Sequence, residues 1–165
     1  MKLDRAIGDV QDAEADLTKE LRTIGERHAV EHDLYHLGHT LARQCAEHLE
    51  RLAPFAERYG AADREAAFEN SPSLLETLRR KSAELLGRSE SSGLLLLRDL
   101  RNLYLTAQEA EIAWVILAQV ARAVRDRELL TVVADCQQDA EMRGKWLRTR
   151  IKQTAPQVFA TSEGD

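Results

Sequence analysis

Glu14, Gln44, His48, Gln108, Glu111 and Arg143 stand at positions where the surrounding pattern calls for apolar residues. Glu14 interrupts a stripe of Leu3, Ile7, Val10, Leu17, Leu21 and Ile24. Gln44 and His48 interrupt a second stripe, of Val30, Leu34, Leu37, Leu41, Leu52, Phe55 and Tyr59. Glu111, flanked by Gln108 one turn earlier, lies within a third, and Arg143 with Gly144 falls near mid-height of a fourth. An isolated buried carboxylate is costly, so each must be paired, hydrogen-bonded or ligated. Two chemistries satisfy that demand. One is a buried polar network, with Arg143 paired to Glu14 or Glu111 and Gln44 and His48 completing the hydrogen bonds; such clusters can fix register and partner choice. The other is a single divalent ion held by Glu14, His48 and Glu111, and oxygen ligands plus imidazole suit iron or manganese.

The elements that position these residues are helices. Apolar residues recur at alternating steps of three and four over 3–27, 30–59, 94–125 and 127–154. Gly25 sits near the expected C′ position of the first helix, followed by a very short link. Asp126 is placed to cap the fourth helix, and Ala155-Pro156 to end it. Between the second and third helices runs a connection, 60–93, with a short helix at about 72–86 that opens on Ser71-Pro72. These features predict an all-α, single-domain chain over residues 1–165: a ferritin-like antiparallel four-helix bundle with a long crossover.

Composition excludes several functions. The 165 residues are 44% hydrophobic and 31% charged, enough for one domain with a core and too apolar for disorder. A net charge of −5 and 5% aromatic residues argue against nucleic-acid binding. Apolar runs such as Leu94–Leu97 and Ala113–Ala118 are too short to span a bilayer. Two cysteines without a C-x-x-C spacing, and an N-terminus without a signal-peptide core, predict a cytoplasmic setting with free buried thiols. There is no G-x-S-x-G and no Gly-rich phosphate loop.

The stretches DAEADLTKELRTIG, HTLARQCAEHLERLAPFAERYG and LTAQEAEIAWVILAQVARAV resemble the first three helices of the stress-induced bacterial YciE/YciF-type ferritin-like proteins. The resemblance covers most of the chain outside the crossover and tail. It implies a ferritin-like fold, a site at the bundle centre and dimerisation. By position it makes Glu14 the first-helix carboxylate, His48 the second-helix imidazole, and Glu111 with Gln108 the third-helix contribution. The superfamily's di-metal chemistry uses Glu-x-x-His pairs on two helices. That motif is absent here, and the fourth helix offers Ala140, Arg143 and Gly144 at mid-height, with Asp139 only at the edge of its apolar side. The expectation is a non-catalytic structural or stress-related bundle with a degenerate central site. The alternative is an iron- or manganese-dependent oxidase or oxygen-handling protein with a nonstandard site.

Two surface features complete the reading. His28, His32, His36 and His39 fall within about 80° of one another on a helical wheel, opposite the apolar side. They predict an exposed histidine stripe, with His32 and His36 spaced to share an adventitious zinc or nickel ion, or a contact that senses pH. HAVEH also matches the H-x-x-E-H pattern of some zinc peptidases, without a remote third ligand. On the third helix Leu94, Leu105, Ile112 and Ile116 form a second apolar line within about 40°, which predicts a homodimer through that helix.

Overall fold

The structure is a computed structural model that describes residues 2–61 and 92–160. Among the described residues it contains four long helices and no strands: α1 (Leu3–Arg27), α2 (His32–Tyr59), α3 (Ser92–Ala123) and α4 (Arg127–Ala160). The expected crossover helix at 72–86, with Leu74, Leu75, Leu78, Leu85 and Leu86, lies outside the described residues.

Side-chain bonds across the seams give the direction of each helix. Between α1 and α3, Arg27 bonds Asp99, Glu20 accepts from Thr106, and Glu14 accepts from Trp114. Partner numbers rise on α3 as they fall on α1, so the two are antiparallel. Between α2 and α4 the pairs are Asp33–Arg150, His48–Asp139, Arg51–Asp135 and Arg58–Glu128, again antiparallel. The short turns after α1 and α3 reverse the chain as well, so α2 and α3 run parallel. Ala61 packs at the end that holds Leu3, and Leu96 at the end that holds Ile24.

The core divides into two apolar clusters. At one end Leu3, Ile7, Val10, Leu52, Phe55, Leu117, Leu129 and Val133 pack together. At the other, Leu17, Leu21, Ile24, Leu34, Leu41, Leu100, Leu103 and Leu147 do so. Glu14 sits on α1 between Val10 and Leu17, so the polar residues lie at the join of the two clusters.

Three local expectations change. Gly25 is not a C′ residue; it lies buried inside α1, which runs on to Arg27 and is followed by His28. Its role is packing: a Cβ built on Gly38 of α2 would stand 3.5 Å from the Gly25 Cα and 2.9 Å from the Leu21 carbonyl oxygen. The absence of side chains lets the two backbones approach. Nor does α4 stop at Pro156, but continues to Ala160. Proline there removes the donor to the Lys152 carbonyl, yet Val158 lies over Gly93 at the start of α3, 3.1 Å from a Cβ built there. Tertiary packing outweighs the local break. Finally, α2 begins at His32 rather than at residue 30, and Val30 is 86% exposed instead of part of the seam. At the tight α3–α4 turn Arg125 adopts φ 58°, and Asp126 Oδ1 accepts from the Leu129 N–H at 3.0 Å, capping α4.

Candidate functional site

The join between the two apolar clusters is a buried polar layer centred on Glu14. Its carboxylate is completely excluded from solvent, and Arg143, His48 and Trp114 are 1–2% exposed or less. The Arg143 guanidinium grips it at two points, Nη2 to Oε1 at 2.7 Å and Nη1 to Oε2 at 3.1 Å. Trp114 Nε1–H donates to Oε1 at 2.6 Å. His48 Nδ1 approaches the same oxygen at 3.4 Å, while its Nε2 lies 2.9 Å from Asp139 Oδ2. Arg143 Nη1 also reaches Cys45 Sγ at 3.2 Å. All four helices thus contribute to the layer: Glu14 from α1, Cys45 and His48 from α2, Trp114 from α3, and Asp139 and Arg143 from α4.

Helix geometry explains the membership. Trp114 is three residues past Glu111, one turn further along α3 and on the face turned to α1. It is Trp114, not Glu111, that reaches Glu14. Glu111 is half-buried in a groove between α3 and α4 lined by Tyr104, Gln108, Glu141, Gly144, Lys145 and Arg148, a cavity of about 270 Å³. There its Oε2 accepts from Gln108 Nε2 at 2.9 Å. Gln44 is also outside the network: it is half-buried, and its Oε1 has no hydrogen-bond partner. The structure therefore joins Glu14, His48 and Arg143 and leaves Glu111, Gln108 and Gln44 apart from them.

This arrangement does not suit a metal ion. Both Glu14 oxygens are already engaged by Arg143, and Oε1 by Trp114 as well. Among the described residues, no three His, Cys, Asp or Glu side chains are grouped to hold one. A guanidinium occupies the cation's place beside the carboxylate, with five donors in a planar fork that matches carboxylate geometry.

Burial pushes the Glu14 carboxyl up, but hydrogen bonds from His48 and Arg143 and their charges more than offset it, holding it at about 2 against an ordinary 4.5. The folded value is depressed, so the associated stability is present above the unfolded value and is lost as pH falls through the folded one. Over that window the difference is on the order of 3 kcal/mol. The expected result is a flatter acid limb for Glu14→Gln than for the wild type between about pH 4.5 and pH 2, measured by urea denaturation at each pH. Superimposable acid limbs would count against the pair. Burial and the neighbouring Glu14 push the Cys45 thiol up to about 12, so it is a packed thiol and not a nucleophile.

A second buried charge cluster went unnoticed in the sequence. Asp99, 3% exposed, accepts from Arg27 Nη1 at 3.0 and 2.9 Å and lies 2.7 Å from His28 Nε2. Burial raises the Asp99 carboxyl, and His28 and Arg27 together lower it below its usual range. The signal was present: Asp99 falls between Leu96 and Leu100 and Leu103 on one face of α3.

This cluster also breaks the histidine stripe. His28 precedes α2 and is buried, while His32 and His36 are exposed and His39 is half-buried against Tyr35, ring centroids 4.6 Å apart. The helical wheel that aligned the four does not extend back to His28.

What the fold and site define is an all-helical four-helix bundle, described over 2–61 and 92–160, with a buried carboxylate–guanidinium layer at its centre. None of its described helices is long and apolar enough to cross a membrane. Comparison with family models, with curated proteins and with solved structures found no match for the chain.

Proposed function

We propose that this is a ferritin-like bundle protein that neutralises its central carboxylate with an internal arginine instead of a metal, and that its role is non-catalytic, structural or stress-related. The observation that carries this reading is the two-point Arg143–Glu14 contact closed by Trp114. A catalytic metal site needs open coordination positions and ligands free to fill the others. Here the carboxylate's partners are protein donors. The ferritin-like assignment rests on the helix order, with α1 beside α3, α2 beside α4, and α2 parallel to α3, together with the resemblance of the first three helices to YciE/YciF-type proteins. That is an argument from fold, which constrains architecture more than activity. A cytoplasmic setting agrees with Cys45 and Cys136 being free and buried.

The test is metal content and oxygen chemistry. Protein purified from iron- or manganese-supplemented medium should carry far less than one metal per chain, should not gain thermal stability on adding either ion, and should not consume oxygen or peroxide catalytically. Stoichiometric metal that disappears with Glu14→Ala would overturn the reading in favour of a metal-dependent oxidase.

A further inference from the structure

We propose that the outward face of α3 is a two-fold interface with a second copy of this chain, in an antiparallel register centred on Leu105. Leu105, Ile112 and Ile116 are 51%, 56% and 53% exposed, while the inward sides of α3 are buried on α1 and α4. At about 100° per residue these three side chains lie within some 20° of one line. A line of large apolar residues on one helix face marks an interaction surface, since soluble chains rarely leave such a patch uncovered.

Charge on the same face selects the occupant and its direction. Arg101 and Glu109, both exposed, stand four residues before and after Leu105, each about 40° from its direction. An antiparallel copy whose two-fold axis passes at Leu105 brings Arg101 of each chain level with Glu109 of the other. Two opposite-charge pairs then flank a Leu105–Leu105 contact. The same register sets Ile116 level with Leu94 of the second copy, and Ile112 level with the alkyl stem of Arg98, which can cover apolar surface. Parallel pairing would instead stack Arg101 on Arg101 and Glu109 on Glu109. An antiparallel register centred between residues 108 and 109 would match Leu105 with Ile112, but would crowd the two Glu109 carboxylates and set Arg101 over Ile116. Only the Leu105-centred register of these three satisfies the apolar and charged positions together, and a closed two-fold contact leaves no open end for further association.

The test uses the full chain. Sedimentation at micromolar concentration should show a dimer. Leu105→Cys should form a disulfide-linked dimer under mild oxidation, because the axis passes at that residue. Ile116→Cys should not, because its two copies would lie roughly 33 Å apart along the helices. The native Cys45 and Cys136 are buried and serve as the background. Glu109→Arg should weaken dimerisation by about tenfold or more, and adding Arg101→Glu should restore it. All four positions are on an exposed or nearly exposed helix surface, and circular dichroism should show unchanged helicity. A monomeric wild type, equal crosslinking at the two cysteine positions, or no recovery in the double charge swap would each overturn the proposal.

Discussion

Glu14→Met is expected to destabilise the fold by about 3–5 kcal/mol, and Glu14→Met combined with Arg143→Met by substantially less than the sum of the two single changes. The single substitution leaves a guanidinium in a site only 1% exposed to solvent, without its counter-charge. It also removes the acceptor of Trp114 Nε1–H and the neighbour of His48 Nδ1. Each unpaired buried donor adds a desolvation cost of roughly 1–3 kcal/mol. Against a total stability of about 5–15 kcal/mol for a typical domain, that is a large fraction. The double variant removes both charges and leaves an apolar layer, which a bundle tolerates better than half a pair. Recovery will be incomplete, because Trp114 Nε1–H still lacks its acceptor and His48 Nδ1 its neighbour, although His48 Nε2 keeps Asp139. Urea midpoints and slopes for the wild type, both singles and the double provide the cycle. Strictly additive effects would show that Glu14 and Arg143 do not act as a pair.

Much of this layer was legible because a charge on an apolar stripe has few explanations. Glu14 was marked by six apolar neighbours on its own face, and His48 and Arg143 by standing within the apolar patterns of their own helices; Gln44, marked in the same way, stays outside the network. The third-helix partner was misjudged for a related reason. Glu111 drew attention because it carries a charge, whereas Trp114 was counted as apolar bulk although its indole N–H is a donor that needs an acceptor when buried. Asp99 was hidden by its surroundings: within LLLLRDL the leucines read as the start of an apolar helix, and its partners Arg27 and His28 lay beyond a glycine taken for a turn. Gly25 illustrates the general difficulty. The same residue type that ends helices also lets two of them touch, and only the neighbour on the other helix distinguishes the roles. Pro156 shows the converse, a local breaker overruled by packing that begins some sixty residues away in the chain, at Gly93.

Gly38→Val is expected to cost about 3 kcal/mol or more, whereas Gly25→Ala should be neutral or slightly stabilising. A Cβ at residue 38 would stand 2.9 Å from the Leu21 carbonyl oxygen. That oxygen belongs to the backbone of α1, so no side-chain rotation relieves the contact; the helices must separate. Separation would loosen Leu17, Leu21, Ile24, Leu34 and Leu41, which fill the core at that end. Overpacking of this kind costs roughly 1–3 kcal/mol, occasionally more, and the branched valine adds two methyl groups to the clash. Removing glycine from a helix interior returns only about 0.5–1 kcal/mol, too little to reverse the sign. At Gly25 the balance differs. Its nearest neighbours to an added Cβ are at 3.6 Å or beyond, ordinary van der Waals range, so the helical gain is not opposed by a clash. Thermal or urea denaturation of the two variants decides the matter. A Gly38→Val protein within 1 kcal/mol of the wild type would mean that α1 and α2 do not cross at this glycine.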